Sequence, residues 1–241
     1  MFFCLKRMLF CSSVFLRRAL LICPFVLLSK NTPAQDFIAM EIPDSVWLRM
    51  QGKTYVENPH IARSDLRYLR VLHWDYDNRS HQGELVCNKL IADKLIAIFR
   101  ELYAHHYPIQ RIRLADDYDA DDERQMSDNN TSCFCYRNVP DTKKLSYHAR
   151  GLAIDINPRY NPYVRYRKDG SQNVQPANGK AYADRSRTFR YKIKAGDLCH
   201  RLFLQHGFTW GGSWRTLKDY QHFEFKIAVG ETLSLDEGRL P

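Results

Sequence analysis

The stretch "LSYHARGLAIDINP", residues 145–158, sets His148 and Asp155 seven positions apart, with Gly151 between them and Pro158 behind. Asp155 lies inside "LAIDI", an apolar run that reads as a short core strand. A carboxylate carried into a core needs a partner or a metal ion. Gly151 suits a turn of positive φ, which fits either of the two readings that follow. The bland reading is a histidine in a turn followed by a buried strand. The sharper one is that both residues point at one metal ion.

A second stretch separates the two. "GFTWGGSWRTLKDYQHFEF", residues 207–225, contains Asp219-x-x-His222 followed by Phe223 and Glu224. His222 opens an apparent strand, which puts His222 and Glu224 on one face. A hydrolytic zinc takes three protein ligands and leaves the fourth position to water. It also needs a nearby carboxylate, itself no ligand, to accept a proton from that water. His148, Asp155 and His222 make such a ligand set, and Asp219 and Glu224 are the candidate bases. The chain has no HExxH, which excludes the helix-borne arrangement of many zinc proteases. Trp210 and Trp214 flank Gly211-Gly212, either as core aromatics or as walls of a cleft.

Working outward, "NKLIADKLIAIFRELYAHH" repeats Ile91, Leu95, Ile98, Phe99 and Leu102 at helical steps and predicts a helix over 88–105. "AGDLCHRLFLQHG" (195–207) predicts a second helix that Gly207 ends. Strands are expected in 107–115, 133–139 and 151–157, around 208–214, and in 222–227. The stretches 41–50 and 63–78 read as short helices or turns. The acidic 116–132 reads as a solvated loop whose spacing does not match a calcium loop. Residues 158–190, rich in Asn, Pro, Tyr and Arg, read as a long irregular segment of the kind that carries function or moves. The order of elements suggests an α+β domain, an antiparallel sheet flanked by helices.

The 241 residues are 44% hydrophobic and 13% aromatic, enough for a packed core rather than a disordered chain. Net charge is +9, but residues 1–34 hold five basic residues and no acid. Without them 31 basic residues face 27 acidic ones, which gives no case for a nucleic-acid partner. Basic residues through Arg18 precede the apolar run Ala19–Leu28, and Thr32 and Ala34 fit the −3 and −1 positions of a cut before Gln35. Residues 1–34 are therefore expected to be a signal peptide, with an uncleaved anchor as the alternative. The run falls short of the ~20 residues that span a bilayer, so no membrane span is expected in the mature chain. The expected location is outside the cytoplasm, in the periplasm, cell envelope or extracellular space. Residues 35–80 are expected to pack as an extension on a catalytic domain over 81–241. Cys87, Cys133, Cys135 and Cys199 remain after the cut, either as two disulfides in one of three pairings or as buried thiols.

Both motifs carry a resemblance. "SYHARGLAID" followed by "WGGSWRTLKDYQHFE" resembles peptidase family M15, the zinc D-alanyl-D-alanine carboxypeptidases and L-alanyl-D-glutamate endopeptidases, VanY-type enzymes among them. Ser146, His148, Gly151, Ala153 and Asp155 fill the fixed positions of the family's S-x-H-x-x-G-x-A-x-D, and Asp219 and His222 fill its [ED]-x-x-H. The resemblance runs from about 88 to 226 and implies a fold shared with hedgehog domains. It implies Zn2+ on His148, Asp155 and His222, with Asp219 as general base. Arg137, in "CYRNV", is the best match to the family's oxyanion-stabilising arginine, and Ser146 matches a residue near the substrate carboxylate. Glu224 has no metal role in the pattern and is expected behind a ligand, orienting it. The implied partners are peptidoglycan peptides, cut by a monomer at bonds involving D-alanine. An L-alanyl-D-glutamate endopeptidase is the enzymatic alternative, and a hedgehog-like zinc-containing binding domain the non-catalytic one.

Overall fold

The chain enters β1 (Ile38–Met40), turns through α1 (Asp44–Met50), and runs out and back as β2 (Leu66–Trp74) and β3 (Ser80–Asn88). This computed structural model describes residues 36–140 and 142–227, so the expected leader lies outside the described residues. Among them no helix is long and apolar enough to cross a membrane. β1, β2 and β3 form an antiparallel sheet, with Leu66 opposite Asn88 and Trp74 opposite Ser80. Residues 63–78 are thus mostly strand, not the helix or turn expected. The reason is burial on both faces. Leu69 and Val71 pack into the main core, while Leu66 and Tyr68 pack with Val46 and Met50 of α1. A strand covered on both sides loses the alternation that would mark it. The hairpin also carries the sheet across residue 80, joining the N-terminal stretch to the start of the expected catalytic domain.

α2 (Lys89–Ala104) is the expected amphipathic helix, with Ile91, Leu95, Ile98, Phe99 and Leu102 buried. Its N-cap is Asn88, whose side chain accepts the Leu90 N–H at 3.1 Å. The 107–115 strand shrinks to β4 (Arg111–Ile112), which pairs in parallel with β5 (Asn130–Thr131). Between them the acidic segment is not a plain loop: it holds a 3-10 turn, Ala115–Tyr118, and α3 (Asp122–Ser127). Bases take up its carboxylates. Arg49 pairs with Asp117 at 2.5 Å, Lys53 with Asp119 at 2.7 Å and Arg137 with Asp122 at 2.5 Å. Residues 133–139 form no named strand; their backbone bonds go to Val86, Thr54 and the His148 turn.

β6 (Ala153–Asp155) lies in the predicted strand. The following segment is more regular than its composition suggests, because β7 (Tyr163–Tyr166) and β8 (Gln172–Gln175) form a hairpin inside it. Arg185 ties the rest of that segment together. It donates to the carbonyls of Tyr160 and Ile193 and to Asn161 Oδ1, and its guanidinium lies 4.4 Å from the Tyr220 ring. α4 (Leu198–Gln205) follows, and Gly207 ends it at φ +88°. β9 (Phe208–Trp210), β10 (Lys218–Asp219) and β11 (His222–Phe225) are the last elements among the described residues. β11 lies between β6 and β9, all antiparallel, and β10 pairs with β7. Phe203 of α4 stacks on Phe223 of β11 at 4.2 Å, so the β6–β11–β9 sheet rests on the helical core. The architecture is mixed α and β, mostly antiparallel, with several small sheets in place of one. Among the described residues, Cys87, Cys133, Cys135 and Cys199 are buried free thiols.

Burial also sets one pH response. His73 on β2 is 4% exposed, and burial lowers its pKa to about 4, against a 2.7 Å bond from its Nδ1 to the Ile109 carbonyl. A folded-state pKa below the unfolded value means that this site contributes fully above pH ~6.5 and loses its contribution as pH falls toward 4. The shift corresponds to roughly 3 kcal/mol at the acid end. His73→Gln is expected to flatten the fall in stability between pH 6.5 and 4, measured by urea unfolding. An unchanged acid limb would show that other groups govern it.

Candidate metal centre

Two neighbouring strands and one turn build the site. His148 opens a 3-10 turn, His148–Arg150, and Asp155 ends β6. His222 opens β11 directly opposite Asp155, and cross-strand partners bring their side chains together on one face. One ligand atom from each of His148, Asp155 and His222 lies within 4.8 Å of the others, and all three residues are buried. His148 Nε2 is 3.2 Å from His222 Nδ1, and His222 Nδ1 is 3.0 Å from Asp155 Oδ1.

The outward nitrogens are occupied. His148 Nδ1 lies 2.7 Å from the Cys133 carbonyl, to which it donates, leaving Nε2 free for a metal. His222 Nε2 faces Glu224 Oε2 at 3.4 Å, leaving Nδ1 inward. Such outer partners set tautomer and ring orientation at metal sites. Glu224 therefore stands behind His222, and is held also by Lys226 at 3.4 Å. Sequence reasoning missed the Cys133 carbonyl, since a backbone acceptor leaves no side-chain signature.

The electrostatics call for positive charge between the three residues. Burial pushes the Asp155 carboxyl up, but His148 and His222 outweigh it and hold the group well below the usual carboxylate range. Burial lowers His222, yet Asp155 and Glu224 raise it to about 10. Without an ion, a proton on His222 supplies that charge. Two imidazole nitrogens and one carboxylate suit a divalent cation that accepts nitrogen and oxygen donors.

Asp219 sits at the end of β10, half-buried, and its Oδ1 is enclosed with no hydrogen-bond partner. Burial raises its pKa to about 7, with His222 pulling it down and Asp155 pushing it up. Gly211 makes this placement possible: a Cβ there would lie 2.6 Å from the Asp219 carbonyl oxygen. Trp214 lies 5.5 Å from the His222 ring. Trp210 is a core residue, 7% exposed, and its indole N–H donates to the Tyr220 carbonyl at 2.9 Å. Its packing against Phe223 explains the burial and takes the indole away from a cleft wall. Ser146 Oγ accepts the His148 N–H at 3.2 Å and so shapes the turn. Arg137 accepts the Ser146 N–H on its carbonyl at 3.1 Å, while its guanidinium pairs with Asp122.

The His148 turn is clamped to the start of α2. Gly151 takes φ +65°, and its carbonyl accepts the Asn88 N–H at 2.9 Å. The Asn88 side chain donates to the Arg150 carbonyl at 3.0 Å. A Cβ on Gly151 would lie 2.6 Å from the Asn88 nitrogen. Gly151→Ala is expected to cost more than ~1 kcal/mol of stability, since both backbone angle and space oppose it. Urea unfolding and metal analysis should show a lower midpoint together with reduced metal content; wild-type values for both would refute the clamp.

No curated protein and no solved structure matches the chain. Residues 140–225, the stretch that holds His148, Asp155, His222 and Asp219, match the model of a family described as D-alanyl-D-alanine carboxypeptidase, which agrees with the resemblance to peptidase family M15.

Proposed function

We propose that this protein is an exported, monomeric zinc peptidase that cleaves peptidoglycan stem peptides or cross-links at bonds involving D-alanine. The observation that carries the reading is the buried His148–Asp155–His222 cluster with Asp219 beside it, its Oδ1 enclosed and unpartnered. His148 Nε2, Asp155 and His222 Nδ1 would hold the ion. When bound, zinc supplies Lewis acidity that polarises the scissile carbonyl and makes water a nucleophile near neutral pH. Asp219 takes the proton of the attacking water and hands it to the leaving amine. A cation nearby lowers the carboxyl's pKa, so Asp219 is ionised and ready to accept. Arg137 is the donor for the developing oxyanion; one such donor is commonly worth about 3–4 kcal/mol. Ser146 faces the substrate carboxylate, and Trp214 shields His222 from water.

The test is direct. Purified protein is incubated with intact sacculi and with defined stem peptides, with and without chelator, and the products are read by mass spectrometry. Loss of a terminal D-alanine or opening of cross-links, blocked by chelator and restored by zinc, is expected. Cleavage between L-alanine and D-glutamate would reassign the bond. No product while stoichiometric zinc stays bound would sink the enzymatic reading in favour of a binding domain.

A further inference from the structure

The 188–194 segment, Tyr107 and Asp197 line a cavity of about 470 Å3, inside the ~300–1,000 Å3 range of small-molecule sites. Its charged lining is unbalanced. Arg190, Lys192 and Lys194 face Asp197 alone, which leaves two positive charges in excess.

The local sequence sets the three cations apart from the core. Tyr191 and Ile193 alternate with them and are buried. Asn161 anchors both buried residues: its Nδ2 donates to the Tyr191 carbonyl at 2.8 Å, and its Oδ1 accepts the Ile193 N–H at 2.8 Å. Arg185 donates to the Ile193 carbonyl at 2.7 Å. The segment is pinned at its buried positions, and its cations are left to line the cavity.

Those cations are braced, not neutralised. The Arg190 guanidinium lies 4.6 Å from the Tyr76 ring and Lys192 Nζ 5.3 Å from the Phe189 ring, which also carries Arg185 at 5.1 Å. A ring face holds a cation in place without cancelling its charge. Lys192 Nζ donates to the carbonyls of Arg185 and Arg187 at 2.5 and 2.7 Å, which leaves one of its three donors. Among the described residues none of the three side chains forms an ion pair. Their crowding registers on Lys192, whose pKa is lowered by loss of hydration and then by Arg185 and Lys194.

Asp197 gives them little relief. Its Oδ1 caps α4 by accepting the His200 N–H at 2.8 Å. Its Oδ2 accepts the Lys194 N–H at 2.9 Å and the Tyr107 hydroxyl at 3.3 Å. The carboxylate is committed to backbone and phenol donors.

Two uncompensated charges narrow the ligand. A carboxylate group brings one negative charge. A phosphate monoester brings about −1.5 to −2 at pH 7, with three acceptor oxygens on one centre. Arginine meets phosphate through paired N–H bonds and lysine as a point charge. Pro108, Tyr107 and Phe189 add apolar wall for the organic remainder of such an ester.

We propose that this cavity binds a phosphate monoester of a small organic molecule, held by Arg190, Lys192 and Lys194. The site stands apart from the peptidase reading, since no metal ligand and no Asp219 lines it. The same group is carried by free esters and by lipid headgroups, and the probes separate the two. The full protein is titrated calorimetrically with glycerol 3-phosphate and with succinate, and is sedimented with phosphatidylcholine vesicles containing phosphatidic acid. Lys194→Ala and Arg190→Gln change exposed cations of the cavity, and Lys168→Ala removes an exposed cation outside it. Saturable binding of glycerol 3-phosphate is expected, weakened at least tenfold in Lys194→Ala and in Arg190→Gln and within twofold of wild type in Lys168→Ala. All three variants should keep the wild-type urea midpoint. No saturable binding at millimolar ester, or equal weakening by Lys168→Ala, overturns the proposal. Succinate bound as tightly as the ester overturns the choice of phosphate. Sedimentation with the vesicles but no binding of the free ester moves the phosphate to a lipid and overturns the small ligand.

Discussion

Asp219→Asn is expected to leave stoichiometric zinc in place and to lower kcat on a stem peptide by about 10²–10⁴-fold, the usual worth of a positioned general base. The change keeps the size of the side chain and removes only its ability to take a proton. Asp219 lies on β10, whereas the three clustered ligands come from the His148 turn, β6 and β11, so metal binding and proton transfer are structurally separable. Metal content by mass spectrometry and turnover on the same preparation make the comparison. Full activity in Asp219→Asn would pass the role to another carboxylate. Glu224 is the first to examine, although its approach to His222 Nε2 already commits it to the ligand.

Asp155→Ala should act in the opposite way and abolish both metal and activity. It removes one of three ligands and also the anion that balances His222 across the β6–β11 pair. Removing one partner of a buried ion pair typically costs about 3–5 kcal/mol, because the remaining charge is left uncompensated. The loss should therefore appear in chelator-treated protein, where no ion contributes: urea unfolding should show a lower midpoint for Asp155→Ala than for the metal-free wild type. Equal midpoints would mean that His222 sheds its proton at little cost, and retained zinc would remove Asp155 from the ligand set.

The parts of the site legible in the sequence were those whose chemistry is carried by side chains. A carboxylate inside "LAIDI" conflicts with its apolar neighbours, and that conflict marks a metal ligand better than either histidine alone. α2 and α4 were legible because each buries a single stripe. β2 was not, because α1 and α2 cover its two faces and its apolar residues follow no simple period. The β7–β8 hairpin hid among Arg, Tyr and Asn, since short strands with few buried residues resemble loops in composition. Trp210 and Trp214 looked alike in sequence, and only the packing against Phe223 separates the core indole from the one near His222. The cap at Asn88 was readable as a helix start, but its second task at Arg150, sixty-two residues away, was not.

That second task has a consequence for how the protein would take up an ion. Asn88 joins the first turn of α2 to the peptide units on either side of Gly151. Swinging the His148 turn outward means uncapping a helix seated in the main core, so the turn cannot fray by itself. The entropy of arranging the donors is met when the chain folds, and capture of the ion needs no further ordering. Small domains that collapse only around zinc work the other way, folding and loading in one step. Under the proposed function the two events would be uncoupled: the chain would surrender an ion and take it back as a folded molecule, with the ion adding to a stability that does not depend on it.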